Sequence, residues 1–310
     1  MTDASPAAPH SAAELRRGAA AVRTAIAPGA PIESLQLDAH EWCAAGPWYE
    51  HAPTIMASVL PTYVAGVPGA SLPVGGVMGS LAPEMTVRAS GGAESLTATW
   101  PAGAYPLAVQ RTMQWADDGA LRLAYEATTD GTYPVPFVWG LTIPLPWSTG
   151  VRLELPSGVR ARVAASWGDG RPAAGSEFVW PSLRDGGRLL DLSHPTSMPR
   201  GTGVLCFVEL PRAQFTVRCG EAALEVCGTP GVVTHARVLI EHDAPLEGRT
   251  PARWWQRRAV QRQIVIAPTV GAPDTLHEAV GGWKAARWLD ARATLPWDLT
   301  LRGIPLTDSE

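Results

Sequence analysis

Short apolar stretches that alternate with polar residues, and that end at glycine or proline, run along most of this chain. Thr86–Arg88, Ser95–Trp100, Pro106–Trp115 and Leu121–Thr128 form one such series, and Val204–Leu210, Gln214–Arg218 and Ala223–Cys227 form another. Short strands at a spacing of about 8–12 residues are typical of an all-β sandwich. The 31 glycines and 29 prolines in 310 residues favour many turns and few long helices. The sequence therefore predicts an all-β fold.

The organisation of the chain is predicted from shifts in composition. Residues 1–18 are rich in proline, alanine and serine, and we expect them to form a flexible N-terminal segment. Residues 19–310 contain neither an internal repeat nor a low-complexity linker, which favours a single domain. At its start, a Pro28–Gly29 turn between two alternating stretches predicts a β-hairpin.

Charge and hydropathy exclude several classes of partner. The net charge is −4 and the chain has no basic run, so nucleic acid is not expected as a partner. No stretch of about 18 apolar residues is present, so no membrane span is expected. The N-terminus lacks the apolar core of a signal peptide, and we expect a cytoplasmic protein.

Metal and cofactor sites are not predicted. The four cysteines, at positions 43, 206, 219 and 227, have no CxxC spacing, and the histidines lack the spacing of metal ligands. We interpret the cysteines as mostly buried thiols. No cofactor is expected.

The stretch from Gln263 to Gly303 predicts a strand, a loop, a short helix and a second strand. Thr275 followed by Glu278 forms a capping box, so the helix is expected to start at Leu276 and to end at Gly281. Further on, apolar Trp297, Leu299 and Leu301 alternate with polar residues, which indicates a half-buried strand.

Two segments carry a resemblance to a known family. Ile266–Ala279 reads IAPTVGAPDTLHEA, and Thr132–Pro146 reads TYPVPFVWGLTIPLP. In spacing and loop chemistry both resemble the signatures of the aldose 1-epimerase (galactose mutarotase-like) family. The resemblance implies a galactose mutarotase-like β-supersandwich of antiparallel sheets with a few short helices, and a carbohydrate as the small-molecule ligand.

The residues that matter most for the chemistry of that family differ here. Its catalytic glutamate falls on Ala267, and a pocket histidine falls on Thr142. Mutarotation needs a proton donor and a proton acceptor a sugar's width apart, and a threonine is no general acid near neutral pH. Thr142 and Ala267 stay candidate ligand-binding positions. Of the 13 tryptophans we expect two or three to contact ligand, and Trp139 is the candidate in this segment.

Other residues are candidates for a rearranged acid/base set. Glu241, His242 and Asp243 follow one another at the end of a predicted strand, which favours Glu241 and His242 as catalytic and Asp243 as ligand-binding. Glu50 and His51 lie in an aromatic loop-like run, and His51 is a further binding candidate. Arg111 falls on an apolar strand face, where it is either a salt-bridged or snorkelling side chain or a ligand-binding guanidinium.

Three hypotheses for function remain open. The first is an isomerase of the aldose 1-epimerase type with a non-standard residue set. The second is a non-catalytic carbohydrate-binding protein, and the third is a scaffold recruited to a less polar ligand. A monomer and a homodimer are equally compatible with the sequence.

Overall fold

The structure is a computed structural model that describes residues 12–43, 56–58, 78–79, 81–90, 93–103, 105–168, 172–185, 187–245 and 260–305. These residues include 23 β-strands, one short α-helix and one 3-10 turn. In chain order the elements are β1 (Ala12–Arg17), β2 (Ala20–Ala25), β3 (Ile32–Leu37), β4 (His40–Glu41), β5 (Met56–Ser58), β6 (Glu84–Ser90), β7 (Ala93–Trp100), β8 (Ala108–Trp115), β9 (Leu121–Thr128), β10 (Val135–Phe137), β11 (Trp139–Leu145), β12 (Val151–Glu154), β13 (Arg160–Trp167), β14 (Glu177–Val179), β15 (Ser182–Asp185), β16 (Arg188–Asp191), the 3-10 turn (Pro195–Ser197), β17 (Thr202–Glu209), β18 (Gln214–Cys219), β19 (Ala222–Gly228), β20 (His235–Pro245), β21 (Val260–Val270), α1 (Leu276–Val280), β22 (Arg287–Leu289) and β23 (Thr294–Pro305).

A nine-stranded antiparallel sheet positions the candidate site. Its strand order is β16-β15-β14-β13-β17-β20-β21-β11-β5. At its centre, Ala236, Val238 and Ile240 of β20 are completely buried, as expected where one face of a strand packs on the core. The residues between them therefore point to the opposite side, which we call the outer face.

An eight-stranded antiparallel sheet supplies the other half of the core. Its order is β12-β18-β19-β23-β9-β8-β7-β6. Trp297, Leu299 and Leu301 of β23 are at most 1% exposed, so the alternation seen in the sequence is confirmed. The hairpin of β8 and β9 is also present, with Gly119 of its turn at φ +81°. The prediction of an all-β antiparallel fold is confirmed.

The N-terminal part forms a four-stranded sheet in the order β1-β2-β3-β4. The hairpin predicted around Pro28–Gly29 is confirmed, because β2 pairs with β3 and Gly29 has a φ of +80° that favours glycine. The expected flexibility of residues 1–18 is wrong for Ala12–Arg17, which pair with β2 along six residues. Leu15 explains the difference, because its completely buried side chain anchors this strand in the core.

The short helix lies where the spacing of Thr275 and Glu278 predicts it, although the Thr275 side chain makes no capping hydrogen bond to a backbone amide. Thr275 Oγ1 donates to Glu278 Oε2 over 3.0 Å, α1 covers Leu276–Val280, and the amide of Gly281 donates to the carbonyl of His277 over 2.9 Å. Leu276 and Ala279 are completely buried, so tertiary packing holds this single turn in place.

One contiguous cluster of buried side chains fills the core and takes members from the four-, eight- and nine-stranded sheets. An aromatic group lies within it: Trp139 contacts Tyr125 edge-on at 4.6 Å and Trp297 at 5.4 Å between ring centroids. Tyr125 and Trp297 stack at 5.3 Å. Such pairs add about 0.5–1.5 kcal/mol each beyond the burial of their surface.

Candidate functional site

The outer face of the nine-stranded sheet carries the positions that matched the family's acid and base. Ile143 of β11 is opposite Ile266 of β21, which places Thr142 beside Ala267 on the neighbouring strand. Both residues line one small cavity. The two positions inferred from separate sequence segments are thus together, and neither supplies a group that titrates near neutral pH.

This cavity is nearly closed. It offers about 10 Å³, which is roughly the room for one water molecule. Trp139 also lines it, although the residue is only 2% exposed and its ring packs in the aromatic group of the core. The remaining wall is mixed. Val138, Phe207 and Pro273 are apolar, whereas Thr269, Arg237 and Asp274 supply polar groups. Thr269 Oγ1 donates to the carbonyl of Gly271 over 2.9 Å.

An ion pair between Arg237 and Asp274 dominates the electrostatics of the closed cavity. Arg237 lies opposite Ala267 in the strand register, and its Nε donates to Asp274 Oδ2 over 2.6 Å. The side chains are 16% and 23% exposed. Burial raises the pKa of Asp274, and the neighbouring Arg237 guanidinium counteracts part of that rise. Sequence reasoning missed both residues, although Asp274 lies in the quoted IAPTVGAPDTLHEA segment.

A more open hollow of about 100 Å³ lies beside the closed cavity on the same face. Phe207 lines both spaces. Trp283, from the segment after α1, contacts Phe207 edge-on at 5.7 Å between ring centroids. The guanidinium carbon of Arg162 lies 4.4 Å from the centre of the Trp283 ring. We call the closed cavity and this hollow together the outer-face cleft.

Glu209 and His235 give the hollow a carboxylate and an imidazole. The two residues face each other across β17 and β20. Arg160 Nε donates to Glu209 Oε1 over 2.6 Å. Burial lowers the pKa of His235 to about 4, against the opposing effect of Glu209, so its imidazole is neutral at pH 7. A neutral imidazole can accept a proton from a ligand hydroxyl.

Glu241, His242 and Asp243 lie away from the cleft. Glu241 is on the outer face four residues beyond Arg237, which is about 13 Å along an extended strand. Gln263 Nε2 donates to its carboxylate, and burial raises the pKa of Glu241. His242 has its Nδ1 2.5 Å from the carbonyl oxygen of Met198, and Arg262 Nη2 donates to Asp243 over 2.7 Å.

None of these three residues lines either space of the cleft. The structure therefore does not bring the expected pair Glu241 and His242 to Thr142 and Ala267. The contacts of Asp243 with Arg262 and Arg200 explain it as part of a surface ion pair network.

Arg111 is in the core instead of in a pocket. It is completely buried between β7 and β9, and it donates from Nη2 to the carbonyl of Ala30 over 3.0 Å. Neither the surface-reaching nor the ligand-binding interpretation fits this position. The candidates Glu50 and His51 lie outside the described residues.

Within the described part of the chain no group of three or more His, Cys, Asp or Glu side chains is arranged to hold a metal ion. No helix among those residues is long and apolar enough to cross a membrane.

Comparison with known proteins identifies the fold. No family model matches the sequence, and no curated protein matches it. Solved structures do match. The Slr1438 protein from Synechocystis sp. PCC 6803 has a TM-score of 0.69 at 12% identity, over 99% of this chain and 100% of that one. A galactose mutarotase-like protein from Lactobacillus casei has a TM-score of 0.65 at 14% identity, over 95% and 100% of the two chains. The GalM/aldose epimerase homologue from C. elegans has a TM-score of 0.62 at 10% identity, over 96% and 100%.

Proposed function

Because the chain has the galactose mutarotase-like β-sandwich fold, we propose that it binds a carbohydrate or sugar-derived ligand in the outer-face cleft, without a general acid and base at Thr142 and Ala267. The observation that carries the proposal is the meeting of the two matched positions with the Arg237–Asp274 pair in one cavity. Charged groups that are partly buried offer strong hydrogen bonds to hydroxyl groups.

The composition of the hollow also supports a sugar. It combines one indole, that of Trp283, with the carboxylate of Glu209 and the imidazole of His235. Small-molecule sites commonly pair an aromatic wall with a few polar groups that fix orientation. The space is far below the roughly 300–1,000 Å³ of drug-sized sites, so the ligand is a single small ring.

Isothermal titration calorimetry with D-galactose and D-glucose tests the binding. We expect one of the two sugars to bind the wild-type protein, and Trp283→Ala to weaken that binding at least fivefold. Trp288 is the matched control, because it is 50% exposed on β22 and lines neither space of the cleft. Equal affinities of the Trp283→Ala and Trp288→Ala proteins would place the ligand elsewhere.

Acid/base isomerisation is a second candidate, and the facing pair Glu209 and His235 favours it. NMR exchange between the sugar anomers distinguishes the candidates. Exchange at the rate of buffer supports a binding protein. Accelerated exchange that His235→Gln and Glu209→Gln each abolish supports an isomerase with a residue set different from that of the family.

Recruitment to a less polar ligand is the remaining alternative. Thr142 and Ala267 make the closed cavity less acidic and less basic than a His and a Glu would. The charged Arg237 and Asp274 in the same wall disfavour this alternative, because an apolar ligand would take water away from their exposed parts without offering a hydrogen bond in return. Calorimetric binding of indole or benzene derivatives, with no heat from sugars, would reverse that preference.

A further inference from the structure

A second and larger cavity lies at the edge of the eight-stranded sheet. It is open to solvent, has a volume of about 650 Å³ and shares no lining residue with the outer-face cleft. The edge strand β12, its neighbour β18 and the loops at Trp180 and His194 form its walls. Its volume is within the range of small-molecule sites. We call it the edge cavity.

Two arginines face each other in its wall. Arg152 of β12 and Arg218 of β18 are direct partners in the antiparallel register. Like charges directly opposite each other on neighbouring strands destabilise a sheet. Glu154 neutralises the positive charge of only one of the two arginines, because its Oε1 lies 2.5 Å from Arg218 Nε.

Arg152 has no such compensation. It is half-buried, and its Nη1 is inaccessible to solvent and meets no acceptor among the residues that the structure describes. A buried donor without an acceptor is destabilising, and more so when it is charged. The edge cavity therefore holds one positive charge that has no partner within the described part of the chain.

The surroundings of Arg152 suit an organic anion. Leu153, Leu155 and Trp180 contribute apolar wall. His194 also lines the cavity, and its Nδ1 is 2.8 Å from Ser193 Oγ and 3.0 Å from Asp191 Oδ2, so its ring is held in one orientation. A planar guanidinium binds carboxylate or phosphate through two parallel hydrogen bonds.

We propose that the edge cavity is a binding site for a small organic anion, with the carboxylate or phosphate group on Arg152 and the apolar part against the wall at Leu155 and Trp180. The anion replaces the missing counter-charge between Arg152 and Arg218. This inference does not depend on carbohydrate binding in the outer-face cleft.

Calorimetry on the full chain tests the proposal with benzoate, phenyl phosphate and inorganic phosphate at constant ionic strength. We expect 1:1 binding of benzoate or of phenyl phosphate, and the two separate a carboxylate ligand from a phosphate ligand. Arg152→Gln should weaken binding at least tenfold. Arg122→Gln is the matched control, since Arg122 is a half-exposed arginine of the same sheet, paired with Asp298 outside the cavity, and should leave the affinity unchanged.

A second and more conservative variant separates loss of the binding group from loss of the fold. Arg152→Lys keeps the charge but loses the planar fork, and we expect a loss of affinity of about three- to tenfold. Absence of binding by both aromatic anions overturns the proposal. Binding that Arg152→Gln and Arg152→Lys leave unchanged also overturns it, as does binding that D-galactose displaces.

Discussion

Arg111 is the most unusual single residue of the core. It is completely buried, its Nε and Nη1 find no acceptor among the described residues, and its guanidinium carbon lies 5.5 Å from the centre of the Trp100 ring. Burial lowers the pKa of Arg111 and raises the pKa of its cross-strand neighbour Tyr125 to about 12. A buried guanidinium without an anionic partner is costly, because desolvation is not repaid.

Replacement of Arg111 should therefore separate the effect of its charge from that of its volume. We expect Arg111→Met to raise the free energy of unfolding by about 1–2 kcal/mol, since an apolar side chain of similar length removes the desolvation cost. Arg111→Ala should lower it by about 2–4 kcal/mol, because it leaves a cavity. Urea unfolding measures both. Equal destabilisation by the two variants would mean that the bond to Ala30 and the contact with Trp100 outweigh the cost of desolvation.

His235 makes stability depend on pH. Its pKa is about 4 in the folded protein because of burial, against roughly 6.5 in an unfolded chain. The unfolded chain therefore binds more protons between these values, and the stabilisation that is complete above pH 6.5 is lost as the pH falls towards 4.

Urea unfolding at pH 7.5 and pH 5 measures this effect. We expect a loss of about 2 kcal/mol from His235 between the two pH values, and His235→Gln should remove that loss. His277→Gln, on the exposed side of α1, is the control and should keep the wild-type difference. An unchanged difference in His235→Gln would assign the acid sensitivity to other groups.

At the scale of elements, the segment from Gly271 to Ala286 covers part of the outer face. At one end, Asp274 accepts a hydrogen bond from Arg237 of β20. At the other end, the ring of Trp283 contacts Phe207 of β17 edge-on. Gly271, Pro273 and Asp274 of this segment line the closed cavity, so the first contact holds one wall of that cavity in place.

A double-mutant cycle measures that contact. We expect Arg237→Met and Asp274→Asn each to destabilise the protein by about 1–3 kcal/mol, because each leaves a partly buried charge unpaired. The double mutant should cost less than the sum, with a coupling of at least about 1 kcal/mol. The surface pair Arg122 and Asp298, with side chains 46% and 43% exposed, should show a coupling below about 0.5 kcal/mol. Equal coupling in both pairs would contradict a fastening role for Arg237.

The sequence predicts elements better than it predicts the cleft. Local periodicity was sufficient for β8, β9 and β23, and the capping box was sufficient for α1, because those signals depend on nearby residues. The Arg237–Asp274 pair joins residues 37 positions apart, and no local pattern indicates which arginine meets which carboxylate. For the same reason the run Glu241, His242 and Asp243 was prominent in the sequence but lies away from the cleft.

At the scale of the whole molecule, the four-stranded sheet belongs to the same core as the two large sheets. Leu15 of β1 is opposite Val22 of β2, and both are members of the single buried cluster. β1 also lies against β7 of the eight-stranded sheet. The proline- and alanine-rich composition concealed this strand, because one buried leucine among six residues gives a weak periodic signal.

Leu15→Ala tests whether this edge of the molecule stabilises the whole. If β1 unfolds together with the large sheets, the free energy of unfolding of the variant is lower by about 2–5 kcal/mol, which is the usual effect of a Leu→Ala substitution in a packed core. Tryptophan fluorescence reports mainly on the large sheets and far-UV circular dichroism on all strands, so both midpoints should fall by the same amount. Arg16→Ala is the control, because it shortens an exposed side chain of the same strand. It should leave the fluorescence and circular dichroism midpoints unchanged. A fall in the circular dichroism signal that leaves the fluorescence midpoint unchanged would show that the four-stranded sheet unfolds separately, and the shared core would then not make the molecule cooperative.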